Sequence, residues 1–514
     1  MPEYPSTKRE NAVSFAVCVA AGVLLSVLLR HDVFFDLENY HYYNGFAFAN
    51  DRLGYDVAPA GVHTFFNPLL DFVNWLLIRR LNAVPDAYFA LTGSVFGVLL
   101  FVCLKINRLF FKSRIAVALS LVLASTGFAT WFQIGSSTNE IPVAVLALTA
   151  LYLMLKDEKT PFAAFLLGAA AGLKLTAATY CLSSAVVFFL FNVKNFKRVA
   201  LFALCGVCGF LATDGFWAYK LFSLYQNPVF PFLNGVFHSP WFADVNLSVQ
   251  SLESPDLDRS FPSLLFLPLF LISVTEGDEP TLDHTTFSDF RWLFAFLLAA
   301  AYLARRKKIR LSEREKFLAL WLFVSYVVWI KAFLVVRYLI PVEMMLPVFF
   351  VKAGAAVKPL TGSPVGQAAK LSLCVLAFAV CVGTVWHSER WIGDKREPHV
   401  LPSVPDWNVP DGAVFLTLGQ QNSAYLAQIA ERRDVRIVNR PQYMWRLISK
   451  TKWAQAVKDA AESGAVRAVW VTDRKNFVQI DGMTCRVLTV DALHSVCFPA
   501  DIADGVFGAS QPRQ

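Results

Sequence analysis

The sequence predicts a polytopic α-helical membrane protein of about eleven transmembrane helices with a small C-terminal α/β extracytoplasmic domain. Of its 514 residues, 56% are hydrophobic and 17% charged, and the mean hydropathy is +0.46. That balance lies outside the range of soluble globular chains. Long apolar runs recur as far as Trp386, and roughly 20 helical residues cross the ~30 Å hydrocarbon core of a bilayer. Beyond Trp386 the runs stop, and short β-rich segments alternate with helical ones.

The apolar runs fall at 12–30, 86–104, 115–133, 141–156, 161–174, 176–193, 199–217, 289–304, 316–331, 338–353 and 368–386. Lys8 and Arg9 precede the first, which has no small-residue cleavage site, so a retained anchor with a cytoplasmic N-terminus is expected. On that threading 21 Lys and Arg lie on the cytoplasmic side, against ten outside when the C-terminal domain is omitted, as the positive-inside rule requires. The same clustering accounts for the net charge of +8, so no nucleic-acid partner is expected. Phe65 to Ile78 is apolar enough for a short span, but it carries Asp71 and Asn74 and ends in Arg79-Arg80. An interfacial helix on the outer surface is therefore expected there, and Ser263 to Ile272 is read in the same way.

Residues 1–387 thus form a membrane domain with external loops at 31–85 and 218–288, and residues 388–514 a periplasmic α/β domain. A multi-pass protein of a bacterial inner membrane fits this arrangement. In the tail, Val414–Leu418, Val435–Asn439, Val466–Thr472 and Arg486–Val490 read as strands, and Gly419 after the first is a weak phosphate-loop signal, more often just a turn. Seven of the nine cysteines lie in apolar runs without metal-ligand spacing and read as small membrane-core residues. Cys485 and Cys497 lie in the polar tail and would pair in an oxidising compartment.

The segment from His31 to Asn44 concentrates ionisable and hydrogen-bonding groups just beyond the first membrane helix. A carboxylate at that water edge removes a proton from a hydroxyl, or shares a divalent cation with a neighbour two residues on. Asp36 and Glu38 are the candidates, with Tyr40, His41 and Tyr42 as groups that contact an acceptor or donor. The bland alternative is a solvated turn within an aromatic interface belt. A second polar site, Ser136 to Glu140, joins two spans; Asn139 and Glu140 there are equally good helix-start residues before Pro142. Lys174 stands between two apolar runs, and Arg337-Tyr338 opens another. Cations at membrane depth answer a partner or a function, snorkelling anchors being the alternative, and both can grip a phosphate. The loop Gln226 to Asn234 suits either a polyprenyl or glycan surface or a rigid turn. His63 and His238 are lone external histidines. No GxGxxG, Walker loop or HExxH is present.

Together these motifs resemble the GT-C superfamily of polytopic glycosyltransferases, which includes oligosaccharyltransferases, protein O-mannosyltransferases and the aminoarabinose transferases of lipid A. The acids Asp36 and Glu38 follow the first membrane helix as in that superfamily. Asn67-Pro68-Leu69-Leu70-Asp71-Phe72-Val73-Asn74-Trp75 is similar to the surface helix of the mannosyl- and aminoarabinosyl-transferase branch, and Glu140 to its second acid, where many relatives have Asp. Gly172-Leu-Lys174-Leu-Thr176 and Arg337-Tyr338-Leu-Ile-Pro341 look like the positions that meet the donor phosphate. The resemblance covers roughly residues 12–386 and departs at the tail. It implies a GT-C-like fold and sugar transfer, with inversion, from a polyprenyl-phosphate carrier to a glycan, lipid or protein acceptor at the outer face. Asp36 would be the base. Glu38 and Glu140 would orient the acceptor or hold a cation (Mg or Mn) with Asp36, while Lys174, Arg337 and Tyr338 would bind the phosphate. Tyr40, His41, Tyr42, His63 and Asn139 would line the substrates. The rival readings are an O-antigen-type polymerase or ligase, expected to rely on loop arginines, and a transporter or flippase, expected to show two related halves and mid-membrane polar breaks.

Overall fold

The structure, a computed structural model, describes residues 6–30, 36–247, 289–333, 335–356, 375–383, 399–418, 423–441, 445–463, 467–472, 482–487 and 494–507. The chain divides into two compact units, one of residues 1–31, 89–213 and 248–394, the other of 32–88, 214–247 and 395–514. The expected surface segment Ser263–Ile272 and the turn at Gly419 lie outside the described residues.

Every apolar run contains helix in its described part. Five stretches, Lys8–Leu29, Pro85–Phe110, Leu175–Asn192, Phe196–Tyr225 and Val336–Ala356, have the length and composition to cross a bilayer. Capping boxes start two helices of the first unit: Thr7 with Glu10 before Lys8–Leu29, and Ser312 with Glu315 before Glu313–Ala332. Small residues bring backbones together. A Cβ at Gly97 would lie 2.4 Å from Val19 Cα, so only glycine fits where Pro85–Phe110 meets the first helix.

One run departs from expectation. Residues 115–133, read as a single helix, break at Thr126-Gly127 into Arg114–Ser125 and Phe128–Gln133. The cause is Glu343 of the helix Ile340–Ala356. Its carboxylate accepts from the N–H groups of Ala129 and Thr130, both at 2.9 Å, and from the Thr130 hydroxyl at 2.7 Å, satisfying donors that a restarted helix exposes. A Cβ on Gly127 would lie 2.1 Å from Glu343 Oε1, so glycine makes the room. Asp289 accepts from the Phe128 N–H at 3.1 Å and from Arg291 at 2.7 Å, and Arg291 donates to the Thr126 hydroxyl at 2.9 Å. All three charged residues are fully buried.

The second unit is built on a sheet of β1 (Ala413–Leu418), β2 (Val435–Arg440), β3 (Arg467–Thr472), β4 (Met483–Val487) and β5 (His494–Pro499), in the order β2-β1-β3-β5-β4. The first three strands are parallel, and β5 runs antiparallel to β3 and β4. The fourth strand starts at Met483 rather than Arg486, and β5, where the sequence reading places no strand, pairs with it. Cys485 and Cys497 sit opposite each other on this pair and form a disulfide.

The segment between the first two long apolar helices belongs to the same unit and covers the edge of β2, which would otherwise present an open ladder. The Val57 N–H donates to the Ile437 carbonyl and the Asn439 N–H to the Val57 carbonyl, both at 2.9 Å. Asp56 accepts from the Ile437 N–H at 2.9 Å and twice from Arg52 at 2.8 Å, and Arg52 also reaches the Val435 carbonyl. Burial raises the pKa of Asp56, while the Arg52 guanidinium opposes that rise. Phe65, Trp217, Tyr225, Phe230, Phe242 and Trp453 supply the aromatic core. The turn Gln226 to Asn234 packs on this core: Phe230 stacks on Tyr225, and Asn227 donates to the Phe232 carbonyl at 2.9 Å. The helix expected over Phe65–Ile78 is Leu69–Leu81, with Asp71, Asn74, Trp75 and Ile78 turned inward.

Candidate functional site

In the first unit four of the expected site residues converge from three chain segments. Glu140 opens the helix Glu140–Lys156, with Asn139 in the capping position. Lys174 ends Thr160–Leu173 in an extended conformation before a 3-10 turn, Leu175–Ala177. Arg337 and Tyr338 lie in the 3-10 turn Val336–Leu339, immediately before Ile340–Ala356. Each basic residue thus sits where regular helix is interrupted. Lys174 Nζ donates to Glu140 Oε1 at 2.5 Å, and Arg337 Nε lies 3.5 Å from the same oxygen. The Glu140, Lys174 and Arg337 side chains are only 4%, 13% and 9% exposed. Lys174 Nζ and Arg337 Cζ lie 5.6 and 5.4 Å from the Tyr338 ring centroid, and the Tyr338 carbonyl accepts from the Tyr180 hydroxyl. Two cations thus share one carboxylate in water-poor surroundings, where charge–charge interactions are strong.

The connection before Glu140 is ordered by a residue the sequence reading passed over. Gln133 Oε1 accepts from the hydroxyls of Ser136 and Thr138, and those two hydroxyls bond each other at 2.6 Å. Gln133 closes Phe128–Gln133, the short helix whose start Glu343 caps. A path of bonded groups therefore runs from Glu343 to the loop that presents Glu140. A Glu inside an apolar run was the available signal for it.

In the second unit, Asp36 heads a π-turn, Leu37–His41, that continues into the helix Tyr42–Ala49. Such turns recur at functional sites. Asp36 is 5% exposed. Glu38 accepts from the Tyr425 hydroxyl at 2.6 Å, and the Asn39 carbonyl accepts from the Ser423 hydroxyl. Tyr40 stacks on His63 with centroids 4.6 Å apart. The His41 ring is 2.6 Å from Asp71, both buried, and Asn44 donates to the same carboxylate at 3.3 Å. Tyr42 donates to Glu431 at 3.1 Å, as Trp75 does at 2.7 Å. Burial first, then the Glu431 charge, raises the Tyr42 pKa, so this phenol remains a donor. Four of the residues expected to line substrates, Tyr40, His41, Tyr42 and His63, thus contact other side chains of their own unit. His238 lies 3.4 Å from Asp244 at the surface.

Among the described residues no group of three or more His, Cys, Asp or Glu side chains is gathered as a metal site. Glu140 is drawn to two cations and Glu38 to a phenol.

These features define a class by fold, a polytopic helical architecture with apolar helices long enough to cross a bilayer and a small sheet domain. The particular likeness is to ArnT from Cupriavidus metallidurans. Its crystal structure bound to undecaprenyl phosphate matches with a TM-score of 0.56 at 13% identity, covering 99% of this chain and 100% of that one. The apo crystal structure matches with a TM-score of 0.55 at 14% identity, covering 95% and 97%. No protein-family model matches the sequence, and no curated protein matches it. The likeness establishes the fold, and it extends through the tail, where the sequence resemblance stops.

Proposed function

We propose that this protein is a membrane glycosyltransferase that moves a sugar from a polyprenyl-phosphate carrier to a glycan, lipid or protein hydroxyl at the extracytoplasmic face of a bacterial inner membrane. The observation that carries the reading is the convergence of Lys174, Arg337 and Glu140 at helix interruptions, in a fold shared with a protein whose crystal structure holds undecaprenyl phosphate. Lys174 and Arg337 bind the phosphate oxygens through charge-assisted hydrogen bonds. Glu140 holds the two cations in place between turnovers. Asp36 takes the proton of the acceptor hydroxyl as its oxygen attacks the anomeric carbon from the face opposite the phosphate. The bond from that carbon to the phosphate oxygen breaks with inversion, and the departing polyprenyl phosphate keeps the electron pair, stabilised by Lys174 and Arg337.

Binding of undecaprenyl phosphate to the detergent-solubilised full-length chain tests the reading. Lys174→Ala is expected to weaken binding by about 10- to 100-fold, the worth of one hydrogen bond to a charged group. A wild-type chain that does not bind undecaprenyl phosphate would sink the proposal. Transfer is expected to survive EDTA, because Glu140 is committed to Lys174 and Arg337. Loss on chelation with recovery on adding Mg2+ or Mn2+ would return the acids to a metal role.

A further inference from the structure

A π-turn is rare, occurs mostly as a single turn joined to an α-helix, and recurs at functional sites. Here the groups that hold it come from the tail, some 380 residues on. The helix Ser423–Ala430 brings the Tyr425 hydroxyl to Glu38 at 2.6 Å and the Ser423 hydroxyl to the Asn39 carbonyl. Just past its end, Glu431 accepts from Tyr42 and Trp75. Tyr425 is 1% exposed and its ring stacks on Trp470, so the phenol is held where it donates to Glu38. A buried phenol without an acceptor would be destabilising. Asp36 precedes Glu38 by two residues at the head of the same turn.

We propose that Tyr425 is a positioning residue: by fixing Glu38 it sets the π-turn and with it the direction of the Asp36 carboxylate. The tail is therefore a clamp on the acidic turn. This rests on the proposed function for its catalytic consequence, though not for the contact itself. The test uses the full-length chain with Tyr425→Phe, Glu38→Ala and the double variant. Turnover is followed with the member of a synthetic panel of undecaprenyl-phosphate monosaccharides that the wild type consumes, and backbone hydrogen exchange is followed in parallel.

Tyr425→Phe is expected to lower kcat about tenfold, with KM for the donor within about twofold and little change in thermal midpoint. The double variant should be no slower than the slower single one, since both break one contact. Amides of 36–44 should exchange faster, while those of 445–463 are unchanged. Wild-type kcat in Tyr425→Phe, multiplicative losses in the double variant, or faster exchange throughout the unit with a matching fall in midpoint would each overturn the proposal. If the wild type consumes no member of the panel, the functional reading fails, and the exchange comparison alone decides whether Tyr425 holds the turn.

Discussion

Asp36→Asn is expected to abolish sugar transfer, with a loss of about 10²–10⁴ in kcat, the usual contribution of a positioned general base. Asparagine has nearly the same shape and keeps an acceptor oxygen, so the buried turn around Asp36 should fold as before. Undecaprenyl phosphate binding, assigned to Lys174 and Arg337, should then stay near the wild-type value. The two measurements separate chemistry from donor capture. Full transfer by the variant at normal protein levels would remove Asp36 from the role of base.

The second large effect concerns stability. Glu343→Ala removes the acceptor of two backbone N–H groups and one hydroxyl at a fully buried position, and leaves the neighbouring Asp289–Arg291 pair with altered surroundings. Leaving buried donors without their acceptor costs about 1–3 kcal/mol for each group so orphaned. A marked fall in thermal midpoint in detergent, with poor recovery of folded protein, is the expected result. Glu343→Gln keeps one acceptor oxygen and should fall between the two. Because the capped helix ends at Gln133, which orders the loop before Glu140, the glutamine variant should also weaken undecaprenyl phosphate binding. Unchanged midpoints in both variants would show that Glu343 is dispensable for the break at Gly127.

Much of this was legible in the sequence. The apolar runs located the helices because lipid leaves the backbone no alternative partner. Lys174 and Arg337 stood out because a cation between apolar runs needs an answer, and the structure supplies Glu140 as their shared partner. Glu343 carried the same kind of signal but was absorbed into its run, since one acid does not spoil the hydropathy of a span. The break at Gly127 was invisible because its cause lies more than 200 residues away in the chain. Burial of Tyr42 and His41 was equally hidden: both are aromatic polar residues that suit a membrane surface, and only the tail and the helix Leu69–Leu81 reveal the acids Glu431 and Asp71 that hold them. The tail was read as a separate domain because its strand pattern is self-contained, while the segment that covers its edge is too short to register as a strand.

That edge pairing has a consequence in time. Val57 leaves the ribosome long before Ile437, the residue whose carbonyl it bonds. At roughly 5–20 residues per second, the intervening chain takes about 20–75 s to make. For most of that interval Val57 lacks its β2 partner and the acidic turn lacks the Tyr425 clamp, although the membrane helices beside them in the chain are already being inserted. A chain terminated before Ser423 would carry every residue of the phosphate cluster and lack what shapes the acid, so truncation would separate donor capture from transfer during synthesis itself.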